Sequence, residues 1–97
     1  MIVRSDLPRG LQAAQIVHAA GESSQGDIAA GTFAVVLAVP DKHALAAEAY
    51  RLTKAGVPFA AIYEPDAPYL GDLMALGLRP QRKEALRKHL SCLPLLK

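Results

Sequence analysis

Seven consecutive apolar residues, Phe33-Ala34-Val35-Val36-Leu37-Ala38-Val39, constrain this chain more than any other stretch. A half-buried strand alternates apolar and polar side chains, whereas a β-branched run that is apolar at every position needs cover on both of its faces. The run therefore predicts a central strand in a largely parallel sheet sandwiched between helices. A chain of 97 residues is long enough to close one such core and too short for two, so residues 1–97 are read as one domain.

The segments around that run fit the same scheme. Ile2 to Arg4 is a short β-rich opening, and Ser5-Asp6-Leu7-Pro8-Arg9-Gly10 supplies turn and helix-start chemistry. From Leu11, the spacing of Leu11, Ala14 and Val17, with Ala13, Ile16 and Ala20 beside them, predicts a first helix of about three turns that stops at Gly21. The polar stretch from Glu22 to Thr32 reads as a surface loop with room for one helical turn around Ile28 to Ala30.

Pro40-Asp41 opens a second helix whose face includes Leu45, Ala49 and Leu52, and Gly56 with Pro58 closes it. Phe59 to Tyr63 is a third strand and Leu73 to Leu78 a fourth. Their short link suggests one antiparallel neighbour. Pro80 starts a final helix ending near Leu90. The order is βα, loop, βα, ββα.

Composition narrows the setting. Hydrophobic residues make up 52% and charged residues 21%, the balance of a globular chain. Alanine supplies much of the apolar share, so the helix faces are thin, which favours marginal stability or a homodimer. Cys92 is alone, so no disulfide can form within the chain; it reads as a small buried hydrophobe in a reducing compartment. No export signal opens the sequence and no apolar run approaches the ~18 residues of a membrane span, so a cytoplasmic location with no membrane partner is expected.

Two segments carry a more specific signal. Arg4-Ser5-Asp6-Leu7 followed by Gly10, and then Ala13-Ala14-Gln15-Ile16-Val17-His18-Ala19, resemble the type 2 peptidyl-tRNA hydrolases, whose Arg-x-Asp-Leu strand end precedes a Gly-Lys pair and an Ala-Ala-Gln-x-x-His-Ala helix. Ala55-Gly56-Val57-Pro58 resembles the family's Gly-Leu-Pro entry to its third strand, and Gly71 through Pro80 its Gly-Thr-led fourth strand. The resemblance runs in order along nearly the whole chain. It implies an α/β fold: a single three-layer α/β/α domain, a four-stranded mixed sheet with helices on both faces.

The chain also departs from that pattern. The family's lysine position holds Leu11, unless Arg9 stands in for it. Its Arg-Asp-Ala-Gly segment is here Tyr63-Glu64-Pro65-Asp66, and the threonine after its glycine is Asp72.

The resemblance implies hydrolysis of the ester joining a peptide to the 3′ ribose of tRNA, with peptidyl-tRNA as partner and a role in translation. That chemistry needs a positioned water, donors for the oxyanion and help for the leaving oxygen. Glu64, at a strand end beside two prolines, is the best candidate base; Asp66 is the weaker alternative, and the plainer reading of Glu64 is a solvated loop charge. Gln15 and His18 lie three apart and share a helix face within about 6 Å. His18 can donate to an oxyanion or carry a proton, although a histidine in an alanine-rich helix is also often simply packed.

Substrate-binding candidates are more diffuse. Asp6 reads as the cap of the first helix or as the group that orients Arg9 or His18. Gly10 lies where free N–H groups of the helix start can meet a phosphate or oxyanion. Arg9 supplies charge but cannot transfer protons. Asp72 joins them by its place after Gly71. Arg79, Arg82, Lys83, Arg87 and Lys88 cluster near the end of the chain, with Lys83 and Arg87 on one outward face, and a returning helix is expected to bring Arg87 and Lys88 toward the site; the plainer reading is a solvated face with a Glu84–Lys88 pair.

His43 and His89 have too few companions for a metal site, and no Walker loop, dinucleotide fingerprint or nucleophile elbow is present, so no cofactor is expected. Three functions stay open: a divergent peptidyl-tRNA hydrolase, an RNA-binding module that kept the fold without the chemistry, and a purely structural domain.

Overall fold

The computed structural model describes residues 1–24 and 26–97. Seven elements follow one another: β1 (Ile2–Arg4), α1 (Arg9–Ser24), β2 (Leu37–Val39), α2 (Lys42–Lys54), β3 (Phe59–Glu64), β4 (Asp72–Leu78) and α3 (Lys83–Leu90). The strands form one mixed sheet in the order β2-β1-β4-β3. β1 and β2 are parallel, and β4 runs antiparallel to both β1 and β3. The C-terminal ends of β1, β2 and β3 and the start of β4 therefore share one end of the sheet, and the candidate site assembles there.

Helices cover both faces, as the residue pattern predicted. Val3, Ala75 and Ile62 pack against Ala19 of α1 on one face. On the other, Ile2, Leu37, Val39, Leu76 and Leu78 meet Leu45 and Leu52 of α2, with Leu86 and Leu90 of α3 at the margin. α2 is closed as expected: Asp41 accepts from the Ala44 N–H at 2.9 Å, and Gly56 takes the left-handed turn at φ +74°.

The apolar run from Phe33 behaves differently from its prediction. Only Leu37–Val39 pair as a strand, at the edge of the sheet, and Phe33 stays 89% exposed. The limit is the partner: β1 offers just Ile2, Val3 and Arg4 to pair with. The outer edge of β2 is covered by the C-terminal tail, where the Ala38 N–H bonds the Pro94 carbonyl at 2.9 Å and the Leu96 N–H bonds the Val36 carbonyl at 3.0 Å. The central, doubly covered strand is instead β4, whose Met74, Ala75 and Leu76 are fully buried. The stretch around Ile28 to Ala30 forms no helix; Thr32 closes a turn onto the Ala29 carbonyl.

α1 runs past Gly21 to Ser24, and its buried stripe is Gln15, Ala19 and Ser23; Ala13, Ala14 and Val17 face solvent. Gly77 explains this choice. A Cβ at that position would collide with the backbone carbonyl of Ala19, so α1 lies almost on the backbone of β4. Only small or flat side chains fit such a contact, and the larger Val17 is turned outward.

The last helix begins at Lys83, three residues after Pro80, because Arg82 is extended and provides no side-chain cap. Cys92, expected inside, lies exposed in the turn that follows α3.

Candidate active site

Two periodicities bring the site together. Along α1, Gln15, Ala19 and Ser23 recur every fourth residue; along β3, Ala60, Ile62 and Glu64 point to the same face at every second. One helical turn and two strand residues advance by nearly the same distance, about 5.4 and 6.6 Å, so the rows stay in step. Ile62 packs on Ala19, and one step further Glu64 meets Gln15, whose Nε2 donates to Glu64 Oε2 at 3.1 Å.

Gln15 is buried and Glu64 half-buried. Glu64 is fixed from other directions too. Its Oε1 accepts from the Asp66 N–H at 3.2 Å, and its carbonyl accepts from the Gly71 N–H at 2.7 Å. Gly71 has φ +93°, a conformation that a side chain would strain. A register irregularity lies between Ile62 and Tyr63, just before Glu64, and bulges of this kind re-aim the residues beyond them.

His18, one turn beyond Gln15, is exposed and lines the same cleft of about 420 Å³ as Gln15 and Glu64; Glu22, β3 residues 61–63 and Pro65 complete its walls. The structure thus brings the three candidate catalytic side chains to one place.

Asp6 does not cap α1. Its carboxylate is held by Arg4 in a two-pronged pair, Nε to Oδ1 at 2.7 Å and Nη2 to Oδ2 at 2.8 Å. The first turn of α1 is tied down by Gln12, whose side-chain amide donates to the Leu7 carbonyl at 2.7 Å. The Arg4 hydrogen bond holds the Asp6 carboxyl below the usual carboxylate range, and the same bond raises Arg4 despite its burial. Arg4 also donates to the Leu73 carbonyl at 3.3 Å and stands 3.7 Å from Asp72, which Lys42 approaches at 3.4 Å. Asp72 pairs with Glu64 in the β3–β4 register, so this charged network adjoins the cleft. In the sequence Arg4 stands only as part of a motif and Lys42 carries no signal of its own; a charged residue closing an apolar strand is what points to Arg4.

Arg9 and Gly10 lie exposed in the first turn of α1, and Leu11 is half-buried behind them. The basic residues of α3 do not return to the cleft. Arg51, near the end of α2 remote from Lys42 and Asp72, donates to the His89 carbonyl and keeps α3 at the far end of the sheet. There Lys83, Arg87 and Lys88 are exposed and form no ion pair among the described residues. The described residues contain no group of His, Cys, Asp and Glu able to hold a metal ion, and no helix long and apolar enough to cross a membrane. No protein-family model matches the chain, and neither does any curated protein.

Proposed function

We propose that the chain hydrolyses the ester between a peptide and the 3′ ribose of tRNA, as its resemblance to the type 2 peptidyl-tRNA hydrolases implies. The observation that carries the reading is the Gln15–Glu64 hydrogen bond with His18 in the same cleft, because it joins the motif residues of α1 to a carboxylate 49 positions away that stands where the chain departs from the family's pattern. Glu64 takes a proton from the attacking water. Gln15 fixes the carboxylate and leaves lone pairs free for that water. His18, at the open rim, supports the oxyanion, and the proton taken by Glu64 passes to the departing ribose oxygen as its bond to the carbonyl carbon breaks.

The tRNA contacts are assigned to two places. The N–H groups of Arg9 and Gly10 face the sheet end at the start of α1, where an anion is favoured. The basic side chains of α3 lie further off. The molecule is at most 37 Å long, and an acceptor stem with a phosphate charge every few ångströms can reach both.

A non-catalytic RNA-binding role is the rival, and Leu11 is the residue that favours it, since an apolar side chain stands where the family carries a cation. The test is release of labelled peptide from peptidyl-tRNA by the purified protein, run beside tRNA binding. Turnover supports the hydrolase. Binding without turnover would give the rival, and neither would leave a structural domain.

A further inference from the structure

The cleft has an unusual wall. Residues 61–65 line it consecutively. Successive side chains of a strand point to opposite faces, so a groove lying on one face would meet only every second residue. A groove that meets all of them runs along the strand's edge. β3 is the outermost strand of the sheet, and none of the described residues bonds to its outer side. The opposite edge is treated differently, since the C-terminal tail covers β2. Pro58 and Pro65 bracket β3 and limit the open edge to six residues. Open edges present unpaired N–H and C=O groups to any extended chain.

The electrostatics select among extended chains. The titratable groups lining the groove are His18, Glu22, Tyr63 and Glu64, with no lysine or arginine among them. Such a groove repels phosphate and acidic residues and suits a neutral or basic peptide.

Resting on the hydrolase reading above, we propose that the outer edge of β3 holds the peptide part of the substrate as a fifth strand, about four to six residues long. The reading also fixes the direction. The bond to be cut lies at Glu64, the C-terminal end of β3, and it is formed by the peptide's own C-terminal carbonyl. The peptide therefore runs parallel to β3, with its C-terminus at Glu64 and its earlier residues passing His18 and Glu22. Main-chain hydrogen bonds give tolerance of sequence, and Glu22 favours a basic residue upstream of the ester.

The experiment is an amide-resolved NMR titration of the full chain with three blocked hexapeptide amides: one alternating Lys and Val, its Glu and Val counterpart, and the Lys peptide with alternate backbone nitrogens methylated. The Lys peptide is expected to shift amides of residues 59–65 and of Gln15 to Glu22 while leaving 36–39 unmoved, and to bind at least tenfold more tightly than the other two. Glu22→Lys, an exposed change, should narrow or reverse the preference between Lys and Glu peptides. A spin label on the peptide's C-terminal end should broaden signals near Glu64 and not near Phe59. Equal binding of the methylated peptide, shifts confined to β2, or a label nearest Phe59 would overturn the proposal. So would a β3-to-β3 dimer whose mass does not change when peptide is added. Peptide binding without ester hydrolysis would contradict the hydrolase reading alone; hydrolysis without peptide binding would contradict this proposal alone.

Discussion

Gln15 is the residue on which the geometry of the site turns. It is buried in the stripe that packs α1 on the sheet, and its amide reaches Glu64. Gln15→Leu keeps the volume and loses the hydrogen bond. The expected result is a fall in kcat of about ten- to a hundredfold with KM little changed, the loss of an oriented base costing about 1.4 to 3 kcal/mol in the transition state. Unchanged kcat would detach Gln15 from the chemistry.

Leu11 gives a second test at this scale. It is half-buried in the first turn of α1, so a lysine there can extend its ammonium to solvent while its stem keeps the contact. Leu11→Lys is expected to raise turnover several-fold with little change in Tm. A stable variant with no faster hydrolysis would mean that this position does not serve the active site.

Asp6 makes a pH prediction whose sign is fixed by its partner. Arg4 lowers the Asp6 carboxyl in the folded state, so the pair's stabilisation is fully present above the ordinary carboxylate value and is lost as pH falls through the lowered folded value. Asp6→Asn should therefore flatten the acid limb of stability below about pH 4. Denaturant midpoints of the two proteins across that range check it, and parallel acid limbs would contradict it.

Among the elements, the α1–β4 contact is the least forgiving. Gly77→Ala places a methyl against the Ala19 carbonyl, which is backbone and can move only with the whole helix. A loss of roughly 1 to 3 kcal/mol is expected, a fall in Tm of several degrees or more for a domain of this size. Displacing α1 also draws Gln15 away from Glu64, so activity should fall at temperatures where the variant is still folded.

The elements also show what could be read in advance. α2 was legible from its ends, because Asp41 and Gly56 act locally. The juxtaposition of Gln15, His18 and Glu64 was reachable because Gln15 and His18 lie in one motif three residues apart and Glu64 is the carboxylate that ends β3. The stripe of α1 was not legible. It is set by a glycine on a strand 58 residues away, and nothing in α1 itself says that Gln15, Ala19 and Ser23 must face inward. The length of β2 was hidden for a similar reason: three residues of β1, and not the seven apolar residues of the run, decide how much of it pairs.

For the whole molecule, the exposed basic face of α3 and the cleft lie at different ends. The cleft opens where β3 ends, while α3 keeps Lys83 and Arg87 beside the far end of α2. Replacing both with Ala should raise KM for peptidyl-tRNA, leave kcat unchanged and reduce the slope of log affinity against log salt by about 1.5 to 2, one counterion release lost per phosphate contact. An unchanged slope would make that surface merely solvated. The expected return of α3 to the site failed because the chain after β4 crosses the sheet end and continues into the tail over β2, a path set by the hydrophobic seat of Leu86, Leu90 and Leu93 rather than by the basic residues.

Whether Glu64 acts as the base of an ester hydrolase is read by single-turnover release of peptide from peptidyl-tRNA by wild type and Glu64→Gln at matched tRNA occupancy. Glutamine preserves the shape and retains a hydrogen-bonding partner for Gln15, so the fold should persist while the base is lost. The expected rate is at least a hundredfold lower in the variant with tRNA affinity unchanged, about 2.7 kcal/mol of transition-state stabilisation. Equal rates in the two proteins, or no release by the wild type above the uncatalysed background, would contradict it.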